Sequence, residues 1–153
     1  MGRALVAVGA ALALCFAAIG VLIYVERQED RVAVDNVLAE ELSRELTTAR
    51  NAPEPVVLAE VTPFAWDRVF VFARRTPPER ISDALGFEFT GDLPYDVESQ
   101  ELFVFVRAGE LARFADYRGR DTFVGLDRPV QALFPDEAVF EVGGGEIRLA
   151  GGG

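Results

Sequence analysis

Carboxylates crowd the second half of this chain, among them Asp92, Asp96, Glu98, Asp116, Asp121, Asp127, Asp136 and Glu137. Two of them held about 5–10 Å apart would suit glycoside hydrolysis, one as acid and the other as nucleophile or base. Several together would suit a calcium ion. No run has the spacing of a calcium-binding EF-hand loop, and acidic loops are ordinarily just solvated. The rest of the catalytic repertoire is missing. There is no histidine and no lysine, and the single cysteine, Cys15, lies in an apolar stretch near the start. Nucleophile–histidine systems, Schiff-base chemistry and Cys/His zinc sites are therefore excluded. Gly143-Gly144-Gly145 precedes Glu146 instead of a Lys-Ser/Thr pair, so it is not a phosphate loop. No catalytic residue, cofactor or metal is expected, and the chain is read as a non-enzyme.

Phe64-Ala65-Trp66-Asp67-Arg68-Val69 is the least routine segment, because it holds the only tryptophan, followed by an acid and a base. Trp and Arg dominate interface energetics, which makes Trp66, Asp67 and Arg68 candidate partner-binding residues. The commoner role of a large aromatic in a small domain is core packing, with Asp67 then bonding nearby backbone N–H groups or an arginine. Arg74 and Arg75 join the candidates, since they precede an expected helix start that would attract an anion. Pro77-Pro78 removes two of the N–H donors such a site needs, and solvated arginines at a strand end are the plainer account.

The pattern Phe64-x-Trp66-Asp67-x-Val69-x-Val71-Phe72, then Thr76-Pro77-x-Glu79-x-Ile81-x-x-x-Leu85-Gly86-Phe87, resembles a motif of small exported or membrane-tethered bacterial proteins of unassigned function. The later Leu-Phe-Val-Phe strand and its turn share the resemblance. In that group a Pro-Tyr pair commonly precedes the threonine, where this chain has Arg74-Arg75. The resemblance implies an exported, tethered domain and carries no activity with it.

What must position these residues starts with a membrane segment. Ala4 to Val25 contains no charged residue, and 22 residues of helix, about 33 Å, cross a hydrocarbon core of about 30 Å. A cleaved signal has a shorter apolar core of about 7–15 residues and a small-x-small site. Here Ala11-Leu12-Ala13 is followed by further apolar residues, and the run ends on bulky Ile23-Tyr24-Val25. A lipoprotein signal wants a small residue before its cysteine, and Cys15 follows Leu14. An uncleaved signal anchor over residues 1–25 fits best. Gly9, Ala13 and Ala17 form a small-residue stripe that would let two such helices pack as a homodimer, although an alanine-rich span produces this spacing by chance as well. Arginines flank both ends of the run and do not settle direction. The three-residue N-terminal tail, and the ease with which long domains translocate, place the remainder outside the cytoplasm, on the inner membrane of a bacterial envelope.

All 25 acidic residues and 14 of the 15 basic ones follow the apolar run, which gives that part a net charge of −11. Nucleic acid and bare phospholipid are poor partners for it. Residues 26–50 read as an amphipathic helix, with Val34, Val37, Leu38, Leu42 and Leu46 on one face. With no Gly or Pro from Val21 to Asn51, it is expected to continue the membrane helix. Residues 51–153 read as a small α+β domain packed with that helix: a mostly antiparallel sheet of about five strands, covered on one face by one long and one short helix. The expected strands include Val56–Val61, Arg68–Ala73, Phe87–Phe89, Leu102–Arg107 with a hairpin at Ala108-Gly109, Thr122–Val124, and a final hairpin around Gly143–Gly145. Thr76 is the expected N-cap of the short helix and Gly86 its stop. These observations point to a tethered envelope domain with a binding or structural role. An inhibitor or immunity-type domain is the alternative, and a carboxylate-dependent hydrolase a further one.

Overall fold

The structure, a computed structural model, describes residues 33–50, 54–93, 101–125 and 130–150. The expected anchor, Ala4 to Val25, and its Gly9/Ala13/Ala17 stripe lie outside the described residues, as do Asp96, Glu98 and Asp127. Among the described residues no helix is long and apolar enough to cross a membrane.

In chain order the elements are α1 (Asn36–Ala49), β1 (Val56–Val57), α2 (Leu58–Val61), β2 (Arg68–Phe72), α3 (Pro78–Leu85), β3 (Leu102–Arg107), β4 (Glu110–Asp116), β5 (Thr122–Val124), β6 (Val130–Leu133), β7 (Val139–Gly143) and β8 (Glu146–Leu149). The strands form two four-stranded sheets, ordered β1-β7-β8-β5 and β4-β3-β2-β6. Every described pairing is antiparallel except that of β5 with β8.

The α+β class holds, but the single sheet of about five strands is corrected to two sheets, with eight strands and three helices among the described residues. β2 and β3 explain the division. Val69 to Phe72 and Leu102 to Val106 are buried on both faces, so each face of their sheet needs its own cover. On one side Val69, Val71, Phe103, Phe105 and Tyr117 meet Phe123, Phe140 and Ile147 of the first sheet and Leu38, Leu42 and Leu46 of α1. On the other, Phe70, Phe72, Val104 and Phe114 meet Ile81, Ala84 and Leu85 of α3, with Phe87 and Phe89. One helical face alone would have left the first group wet.

The helices depart from expectation at their starts. Ala33 to Asp35 is not helical. Asp35 instead caps α1, its Oδ1 accepting the Leu38 N–H at 3.0 Å, so no continuous helix runs back through these residues. Val37, placed by the periodicity on the buried face, is 67% exposed, because the α1 stripe rotates onto Leu38, Leu42 and Leu46. Val56–Val61 is strand only over its first two residues and then turns into α2. Thr76 does not cap α3: its hydroxyl donates to the Ala73 carbonyl at 2.6 Å, and Pro77 takes the cap position. Gly86 ends α3 at φ 80°, as expected. Phe87–Phe89 pairs in no sheet and packs its rings under α3 instead.

Two ion pairs tie the parts together. Asp121 is fully buried, and Arg50 reaches it with two bonds, Nη2 to Oδ2 at 2.8 Å and Nε to Oδ1 at 3.1 Å. Tyr117, pushed up to about 12 by burial and by the Asp121 charge, donates its hydroxyl to the same carboxylate at 3.4 Å. Asp116 accepts two bonds from Arg118, each 3.0 Å, and Arg118 also reaches Asn36 Oδ1 at the start of α1.

Candidate functional site

The Trp66 segment leads into β2 at the end of the second sheet where β3 turns into β4. Trp66 itself is buried, 7% exposed. Its Nε1–H donates to Thr62 Oγ1 at 2.9 Å, and its ring stands edge-on to Phe105 with centroids 5.4 Å apart. It is a core residue, the commoner of the two roles weighed for it, and the surface-anchor role does not fit its position.

Asp67 is exposed and builds the neighbouring turn. Its N–H donates to the Val106 carbonyl at 2.8 Å, and its Oδ2 accepts the Ala108 N–H at 2.6 Å. Ala108 and Gly109 both hold positive φ, 53° and 82°, the geometry of a type I′ hairpin turn. Glycine meets this readily, whereas alanine is strained there. Replacing Ala108 with Asn should therefore raise stability by about 0.5–1 kcal/mol, read as a higher midpoint in chemical denaturation. An unchanged or lower midpoint would show that the turn is not strained at this residue.

Arg68 lies over the exposed ring of Phe134, 5.5 Å from its centroid. On the opposite face of the sheet Arg113 lies 4.8 Å from the centroid of Phe64 and bonds Asp35 Oδ2 at 2.7 Å. Burial draws the Asp35 carboxyl upward, but the Leu38 N–H and the Arg113 guanidinium outweigh it and hold the carboxyl below its ordinary value. A register shift makes this possible. Phe105 pairs with Arg113 and Val106 with Leu111, which leaves Ala112 as an extra residue. Such a bulge re-aims side chains and interrupts pairing along an edge strand.

Two hollows flank the hairpin tip. One of about 400 Å³ is lined by residues that include Phe64, Arg107, Leu111 and Arg113. The other, about 150 Å³, lies on the α3 side and is lined by Asp67, Arg68, Phe70, Leu85, Val106 and Gly109. Of the five candidates, Asp67 and Arg68 thus share one surface, while Trp66 packs in the core on the other face of the sheet. Arg74 and Arg75 follow the far end of β2, a strand of about 17 Å away, and form no common site with the others. The sequence reading missed Phe64, Arg107, Arg113 and Phe134 at this end. The i+2 alternation of β3 and β4 places Arg107 and Arg113, but the bulge that turns Arg113 onto Phe64 has no signal in the sequence.

Asp116 and Asp121 are buried and each is engaged by an arginine. No group of described side chains could hold a metal ion. Glu101 alone among the described carboxylates is pushed up, to about 7, by burial, with the Arg74 charge opposing.

Comparison with protein-family models, with curated proteins and with solved structures gives no match in any of the three.

Proposed function

We propose that this chain is a single-pass, membrane-anchored protein of a bacterial envelope whose small acidic domain, outside the cytoplasm, binds a protein partner through the hairpin end of its second sheet. The observation that carries the binding role is the pair of arginine–aromatic contacts, Arg68 with Phe134 and Arg113 with Phe64, set on either side of the hairpin tip beside the two hollows. Arginine and aromatic side chains are the residues that interfaces concentrate, and cation–π pairing holds them in place before a partner arrives. The tether rests on the uncharged run from Ala4 to Val25 and on the motif around Trp66.

An exposed Trp66 would have favoured the inhibitor or immunity-type alternative, and the ring is buried instead. The hydrolase alternative needs two free carboxylates in a cleft; of its candidates, Asp116 and Asp121 are each bonded to an arginine.

Photo-crosslinking in cells tests the binding role. A photoreactive residue at Phe134 or Ala65 should trap a discrete partner, and one at the exposed Glu141 on the first sheet should not. Equal trapping at all three positions, or none at any, would remove the hairpin end as a binding surface. A reporter active only in the cytoplasm, fused to the C-terminus, should stay silent; its activity would reverse the orientation.

A further inference from the structure

Glu101 stands one residue before β3, whose Leu102 pairs with Phe72 on one side and Asp116 on the other. Its backbone carbonyl accepts the Tyr117 N–H at 2.8 Å. Its Oε2, in contrast, is buried and meets no hydrogen-bond donor. A buried carboxylate oxygen without a donor is unfavourable when charged and tolerable when the carboxyl is neutral. Among the described residues, the charged groups on the flanking elements do not relieve it. Asp116 and Arg118 pair with each other across the end of β4. Tyr117 stays protonated. The Arg74 charge attracts the carboxylate and still leaves the carboxyl well above an ordinary glutamate. The adjoining turn is strained as well, with Arg75 held at φ 62°, a region that non-glycine residues seldom occupy.

We infer that this corner of the second sheet is a proton-operated latch, closed while the Glu101 carboxyl keeps its proton and opening locally once the proton is lost. The inference does not depend on the hairpin end being a binding surface. The sign follows from linkage. The open corner exposes a glutamate that titrates near 4.5, and the closed corner one that titrates near 7. Closure is therefore fully favoured below about pH 4.5 and weakens as pH rises to about 7, beyond which it changes no further. That separation would allow about a 300-fold change in the opening equilibrium, and partial solvent screening reduces the expectation to about tenfold.

Amide hydrogen exchange on the full chain reads the latch directly. Relative to the intrinsic rate at each pH, protection of the Tyr117 N–H should fall about tenfold between pH 5 and pH 8. Val104, paired on both sides in the middle of β3, should hold its protection. In Glu101→Gln the Tyr117 amide should be equally protected at both pH values. A Tyr117 protection that ignores pH, or that falls by the same factor in Glu101→Gln, would overturn the latch. Should that variant fail to fold, carbon-13 titration of the Glu101 carboxyl in the unaltered chain decides: a midpoint near 7 supports the latch and one near 4.5 defeats it.

Discussion

Replacing Arg50 with Met should cause one of the largest single losses of stability available in this domain. The substitution strands the Asp121 carboxylate, whose side chain is 0% exposed, and an unpaired buried carboxylate costs about 3–5 kcal/mol. The asymmetry of the pair makes the prediction specific. Arg50 is partly in water and can turn outward if Asp121 is removed, whereas Asp121 has nowhere to go. Asp121→Asn should therefore be milder than Arg50→Met, and the double variant should recover much of the single loss, since no charge is then stranded. Thermal unfolding of the three variants checks all of this. Equal effects of the two single variants would mean that the pair contributes packing and not charge compensation.

Trp66→Ala should be comparably severe, about 3–5 kcal/mol, because the ring fills space against Phe105 and anchors Thr62. Trp66→Phe keeps most of the volume and should cost about 1 kcal/mol for the lost hydrogen bond. As the only tryptophan, Trp66 also reports on itself. Its emission should be blue-shifted and poorly quenched in the folded chain, then move to the red on unfolding. A freely quenched tryptophan together with a near-neutral alanine variant would return Trp66 to the surface and revive its role as a partner anchor.

The same residue shows how far the sequence could be read. The spacing of aromatic and β-branched residues marked β2 and β3 as strands, but the expected sheet had cover on one face only, whereas strands apolar on both faces need it on two. What supplied the cover was harder to see. β6 follows Asp127-Arg128-Pro129, which reads as loop, and its edge position asks for no strong pattern of its own. The apolar run from Val56 to Val61 is too short for periodicity to separate strand from helix. The parallel pairing of β5 with β8 and the bond between Arg50 and Asp121 join residues far apart in the chain, and local propensity carries no information about such contacts. Gly86 and the hairpin turns were legible because positive φ restricts residue choice at a single position. The hairpin end was half legible. Asp67 and Arg68 stand out by composition, while Arg113 reaches the same end only through a bulge.

The order in which the strands pair has a consequence in time. β1 pairs with β7, Val56 against Phe140, and β2 receives its outer neighbour only at β6, with Val69 against Leu133. A chain synthesised from its N-terminus can form the β3–β4 hairpin early, but neither sheet closes until almost all of the chain has been made. Until then the Val-Phe-Val-Phe strand presents an open, sticky edge. Such non-local pairing makes folding slow compared with helical domains of the same size. A translation product that stops before Val130 would keep that edge for good, so nascent and truncated forms of this protein are the ones expected to need a chaperone and to be cleared by proteases.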